Sequence, residues 1–217
     1  MADKKLTLTQ IAYQAKSLGV ETAALRAVHE VEAKGNGFLA SGEPVILFER
    51  HIFYRKLREM NYPNLAKLFF ARRPDLCNPS AGGYGKTSEQ HNRLKQAQDL
   101  LLQVLPLLDP NKSSDKKIIE QVRACALMAC SWGIGQVMGM NWESLGYPSL
   151  QDFINDMYES EAKQLEAMCR FIKVNGLVDD MQRKDWVTFA RVYNGVAYRK
   201  NQYDIKLAKA YAKFAKG

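Results

Sequence analysis

Apolar residues recur at helical spacing along almost the whole chain. Thr9 to Leu18 reads as a first short helix closed by Gly19, and Thr22 as the N-cap of a second helix that runs to Glu32. Gly35, Gly37 and the Ser41-Gly42-Glu43-Pro44 cluster predict a loop. Val45 to Phe48 is too short to assign between a strand and a helix start. His51 to Glu59 and Asn64 to Ala71 carry helical patterns, stopped by Arg72-Arg73-Pro74, and Asn78 to Ser88 is a second glycine-rich loop. A long helix is expected from about Glu89 to Leu105. Ser113 or Ser114 caps the next, which is apolar on nearly every face from Ile118 to Ala129, the mark of a central helix. Glycines at 133, 135 and 139 then break the pattern. Leu150 to Lys173 predicts one amphipathic helix, and Asp185 to Tyr193 and Asn201 to Lys216 the last two. The fold class expected is all-α, with at most a very short β-hairpin or strand.

One polar residue falls on an apolar face. With Leu25 at zero, Val28 lies near ~300°, Val31 near ~240° and Glu32 near ~340° around the second helix, while Glu30 lies near ~140°. Glu32 is therefore on the stripe and Glu30 off it. A carboxylate there costs free energy unless it is paired or protonated. Protonated near neutral pH, it can act as a general acid. The alternative is a glutamate paired with a nearby Arg.

Composition narrows the partners. At 217 residues the chain can bury a core and reads as a single domain, 1–217, with room for two lobes. No apolar run approaches the roughly 20 residues of a membrane span; Leu100 to Leu108 is short and broken by Pro106. Met1-Ala2-Asp3-Lys4-Lys5 leads into polar residues rather than a signal segment, so synthesis in the cytoplasm is expected. Cys77, Cys125, Cys130 and Cys169 show no paired or metal spacing, and His29, His51 and His91 are too scattered for zinc. No metal and no cofactor are expected. The formal charge of +8 favours an anionic partner: nucleic acid, lipid headgroups or an acidic polymer. Against nucleic acid, the basic residues are spread along the chain and no recognition motif occurs.

Three segments carry a family resemblance: Glu30-Val31-Glu32-Ala33-Lys34-Gly35-Asn36-Gly37-Phe38 with Ile46-Leu47-Phe48-Glu49-Arg50-His51; Ser131-Trp132-Gly133-Ile134-Gly135-Gln136-Val137-Met138-Gly139; and Phe189-Ala190-Arg191-Val192-Tyr193-Asn194-Gly195. With Pro79 to Leu94, they resemble the N-acetylmuramidase domain of bacteriophage and prophage endolysins, a lysozyme-like helical fold. The resemblance runs from about Leu8 to Tyr211. It implies a peptidoglycan hydrolase that cuts the β-1,4 bond between N-acetylmuramic acid and N-acetylglucosamine, with Glu32 as the acid. A relative of this kind would reach periplasmic peptidoglycan after the membrane is permeabilised. Family members often carry an N-terminal peptidoglycan-binding module, for which this chain leaves no room. One departure is Ala33, where the family pattern has Ser.

Glycoside hydrolysis also needs a group to meet the oxocarbenium-like charge. Glu49 is the candidate; the alternative is a pair with Arg50 or another Arg. Asp75, Glu89 and Asp99 are weaker choices. A single glutamate would suffice for a lytic transglycosylase, which uses the substrate's own hydroxyl. In the glycine-rich segment, small residues would let a sugar chain approach the backbone. There Gln136 supplies an amide and Trp132 a flat face, unless Trp132 is simply core. The resemblance implies that Tyr193 supports the acid and Asn194 shapes the turn; the alternative is an ordinary helix C-cap. With Ile205 at zero, Lys206, Lys209, Lys213 and Lys216 fall between ~20° and ~100°. Such a face can bind an anionic outer-membrane surface, or stay in water on a docked terminal helix. Nothing in the sequence demands a dimer, and a monomer is expected.

Overall fold

A computed structural model describes residues 4–32 and 35–216; Ala33 and Lys34, like Met1, Ala2 and Asp3, lie outside the described residues. The chain divides into two compact units, one drawn from Met1–Val45, Gly133–Val137 and Ile154–Gly217, the other from Ile46–Trp132 and Met138–Phe153. Among the described residues it is mainly helical, with one three-stranded sheet of short strands, as the expected fold class has it.

In the first unit, α1 (Leu8–Leu18) opens on a capping box in which Thr7 and Gln10 bond each other's backbone, and it closes on left-handed Gly19 (φ 71°). The next helix, α2 (Thr22–Glu32), starts one residue earlier than expected. Thr22 is its first helical residue, and the Glu21 carbonyl accepts from Ala24 at 3.0 Å and Leu25 at 3.2 Å. Its buried face, Ala24, Leu25, Ala27 and Val28, packs on the C-terminal helix α11 (Tyr203–Phe214), whose Leu207 and Ala210 are buried.

The predicted single helix from Leu150 to Lys173 is two. Ser160 is extended (φ −163°, ψ 161°), ends α7 (Leu150–Glu159) and caps α8 (Glu161–Val174) with its hydroxyl oxygen, which accepts the Lys163 N–H at 3.3 Å. A short helix that the pattern did not reveal, α9 (Val178–Arg183), precedes α10 (Trp186–Tyr193).

Two polar residues on the buried face of α8 organise the loops of this unit. Glu161 accepts the N–H groups of Gly37 at 2.7 Å and Leu6 at 2.8 Å. Gln164, 1% exposed, accepts from Ile134 N–H at 3.0 Å and donates to the carbonyls of Met157 at 2.9 Å and Gly37 at 3.3 Å. These bonds satisfy backbone groups that burial would otherwise leave unpaired. They also explain a glycine: a Cβ on Gly37 would stand 2.1 Å from the Gln164 Oε1.

In the second unit, Ile46–Phe48 of the Val45 to Phe48 stretch is a strand. β1 (Ile46–Phe48) pairs antiparallel with β2 (Cys130–Trp132), Leu47 opposite Ser131, and β3 (Val137–Met138) follows. α3 (Arg50–Glu59), α4 (Pro63–Arg72), α5 (Gln90–Val104) and α6 (Ser113–Met128) enclose a core that includes Phe48, Phe53 and Phe69. α6 packs against α5 and α3, but it is amphipathic rather than apolar all round: Ile119, Val122, Cys125 and Ala126 are buried, while Glu120 and Arg123 are exposed. Neither Ser113 nor Ser114 caps it; both lie in the first turn, after Lys112. All four cysteines are free and buried. Among the described residues no helix is long and apolar enough to cross a membrane.

Candidate active site

Glu32 ends α2 half-buried, whereas Glu30 points out and pairs with Lys213 at 2.7 Å. The two carboxylates thus face the ways that their helical phases require. Glu32 is met by Asn194, the residue after α10. Its backbone N–H is fixed to the Ala190 carbonyl at 2.9 Å, and its side-chain amide donates to Glu32 Oε1 at 3.0 Å and Oε2 at 3.1 Å. α10 is itself set by Asp185, whose carboxylate accepts the Thr188 N–H at 3.1 Å, and by the buried Phe189 and Ala190.

Tyr193 does something else. Its hydroxyl donates to the Gly135 carbonyl at 3.0 Å, with the ring stacked on Phe189 (5.4 Å, 10°) and edge-on to Phe171 (5.4 Å, 84°). Burial, with the charge of Glu32 and the Cys169 thiol nearby, pushes this phenol well above its usual range. Tyr193 therefore anchors the glycine-rich segment, and Asn194, expected to shape the turn, hydrogen-bonds Glu32.

Gln136 takes a left-handed φ of 46°, rare without a glycine, and its amide donates to the Gly133 carbonyl at 2.8 Å. The neighbouring glycines face the interior rather than a ligand. A Cβ on Gly133 would meet Gln164 at 2.5 Å, and one on Gly135 would meet Met168 at 2.8 Å. Their smallness serves packing. Trp132 does not offer the expected flat face: at 1% exposure, with its indole N–H donating to the Leu127 carbonyl at 3.3 Å, it is core and presents no face to a sugar.

In the second unit Glu49 occupies the N-cap position of α3 without capping it, and its backbone N–H bonds the Ala129 carbonyl at 2.9 Å. It does not pair with Arg50, whose guanidinium donates to the carbonyls of Ser80 (3.2 Å), Pro74 (3.2 Å) and Ala81 (3.3 Å). Instead its Oε2 is buried 3.2 Å from His51 Nδ1. The Tyr84 phenol lies close to the same carboxylate; burial first, then the nearby Glu49 carboxylate, raise the phenol above its usual value. Arg50 braces the loop that delivers Tyr84. The weaker choices are engaged elsewhere: Asp75 with Arg73 at 2.7 Å, Glu89 with the Lys86 N–H at 3.0 Å, and Asp99 with Arg123 at 3.5 Å.

Gln90 completes this group and was not anticipated. At 1% exposure, its amide accepts the Phe48 N–H at 3.0 Å and donates to the carbonyls of Lys86 (3.0 Å) and Tyr84. The signal was present: Gln90 lies on the stripe of Leu94, Ala97 and Leu101, as Glu161 and Gln164 lie on that of Leu165 and Met168. Among the described residues no three His, Cys, Asp or Glu gather as a metal site would require.

The N-acetylmuramidase family model matches residues 21–215. A crystal structure of the Burkholderia AP3 phage endolysin is similar over 100% of this chain and 74% of its own, at 38% identity and a TM-score of 0.82. Among curated proteins no relative matches. A helical fold of this kind, with a carboxylate held at a helix end, is that of a peptidoglycan-cleaving glycoside hydrolase. The chain belongs to the N-acetylmuramidase family.

Proposed function

We propose that the protein cleaves the β-1,4 bond between N-acetylmuramic acid and N-acetylglucosamine, with Glu32 as general acid. The observation that carries this is the hold on Glu32. A half-buried carboxylate at the end of α2 meets the Asn194 amide through both oxygens, while Glu30 is drawn off to Lys213. Held in this way, Glu32 has one orientation from which to deliver a proton to the leaving oxygen. As the C1–O bond breaks, positive charge develops on the sugar ring. Glu49, buried at one oxygen 3.2 Å from His51 and near Tyr84, is the candidate to offset it. Gln136, with both donor and acceptor atoms, is the candidate for the sugar's acetamido group. The exposed lysines of α11 are assigned the anionic cell surface.

The test is turbidity loss of chloroform-treated Gram-negative cells by wild type, Glu32→Gln and Glu30→Gln. Glu32→Gln is expected to lose at least the ~10²-fold that a general acid contributes, with unchanged circular dichroism, and Glu30→Gln to stay near wild type. Activity of Glu32→Gln above a tenth of wild type overturns the assignment. The mass of the released muropeptides identifies the acceptor: a product lighter by one water comes from the substrate's own hydroxyl, as in a transglycosylase.

A further inference from the structure

A second surface of the first unit is hollowed. Two adjoining hollows of about 480 and 310 Å³ run between α1 and α8 and share Tyr13, Gln14 and Glu166 as lining. None of Glu32, Tyr193, Asn194 or Gln136 lines them. Tyr13 leaves 71% of its surface in water, so its ring is a free apolar face with a hydroxyl at its tip. Beside it, the Gln14 amide makes no hydrogen bond among the described residues, and the Ser17 hydroxyl is exposed.

Most charges on the opposite wall are paired, while Lys173, exposed at one end, makes no ion pair among the described residues. Glu166 bonds Arg170 at 2.6 Å and stands 3.6 Å from Lys163, which also lies 3.6 Å from Asp156. The groove therefore offers many donors and acceptors but little net charge. That suits a neutral, hydroxyl-rich ligand with apolar ring faces and offers a phosphate or lipid headgroup little beyond Lys173 to bind. α8 has 14 residues, about 21 Å of length, enough for an extended chain rather than one sugar.

We propose that the α1–α8 groove binds an N-acetylhexosamine glycan strand, with Tyr13 stacking on a sugar ring and Gln14 bonding its hydroxyl or acetamido groups. It is a second hold on the polymer, apart from the residues assigned to cleavage, and it rests on the reading of peptidoglycan as substrate.

The experiment is co-sedimentation of the full chain with purified peptidoglycan sacculi at 4 °C, which needs no cleavage and so remains readable if the Glu32 assignment fails. Tyr13→Ala with Gln14→Ala is expected to weaken binding about tenfold, the loss typical of truncating an aromatic anchor. Tyr13→Trp should keep it. Binding should persist at about 1 M salt, where charge attraction is screened beyond about 3 Å. Cleavage of a soluble tetrasaccharide fragment should be unchanged in the double variant, which also reports that the fold is intact. Unaltered sedimentation, or an equal fall on fragment and sacculi, overturns the proposal. So does a loss confined to anionic lipid vesicles.

Discussion

Asn194 donates its side-chain amide to both oxygens of Glu32, and its own Oδ1 is buried with no hydrogen-bond partner among the described residues. An unpaired buried acceptor costs about 1–3 kcal/mol, so the amide's contact with Glu32 is kept at a cost in stability. That is what the proposed role of Glu32 as the acid asks of the residue that positions it.

Asn194→Ala is accordingly expected to lower kcat about tenfold on soluble glycan fragments, with KM little changed and the melting temperature held or raised. The pH dependence separates positioning from a structural role. An N–H donor favours the charged carboxylate, so its removal favours the proton. The alkaline limb of the pH–rate profile should move to higher pH, and further still in Asn194→Asp, where a like charge is added. A profile that stays in place in both variants would remove Asn194 from the acid.

Glu49→Gln tests the second carboxylate. Among the described residues no Arg or Lys pairs with Glu49, whose ion-pair neighbour is His51, so neutralising it strands no permanent cation. The amide should cost less than about 1 kcal/mol, a fall of roughly 2–4 °C in Tm for a chain this size. Lysis should fall more than tenfold. A large drop in Tm with activity retained below it would make Glu49 a structural partner of Tyr84 and His51 instead.

The helical phase of α2 was enough to separate Glu32 from Glu30, because a residue's direction on a helix follows from local geometry alone. Local geometry did not tell which of the adjacent Tyr193 and Asn194 reaches Glu32, since that depends on how α10 packs against Phe171 and the Gly135 segment. Trp132 was legible as core or sugar platform but not as one of them, because its burial follows from β2 pairing with a strand far away in sequence. The break at Ser160 escaped notice for the opposite reason. One extended residue interrupts the backbone while the apolar stripe continues on both sides. Glu161, Gln164 and Gln90 carried the same signal as Glu32, a polar residue on an apolar stripe, and they satisfy loop backbone instead.

The thiols offer a check on the packing. Burial pushes Cys77, Cys125 and Cys169 up to about 12, and Cys130, buried near the Glu49 charge, well above its usual value. At pH 8 about one such thiol in ten thousand is ionised, against roughly a quarter for a free cysteine. The thiolate is the reactive form, so Ellman's reagent should label none of the four in the native protein and all four in urea. Prompt labelling of any one in the native state would contradict its burial.

The lysines of α11 and Lys216 just after it divide by environment. Lys213 pairs with Glu30 at 2.7 Å and lies 4.9 Å from the Phe214 ring, and Lys206 sits 5.5 Å from the Tyr203 ring. Lys209 and Lys216 are exposed and make no ion pair among the described residues. If this face recruits the enzyme to anionic cell surfaces, Lys209→Gln with Lys216→Gln should account for most of the effect of replacing all four. Whole-cell binding should weaken and become less sensitive to salt, since exposed charges act over about 10 Å at 0.1 M. Cleavage of soluble fragments should not change, because α11 is assigned no part in the chemistry. A whole-cell salt profile that is the same with and without the lysines would leave α11 as a docked helix whose charged side chains serve only solubility.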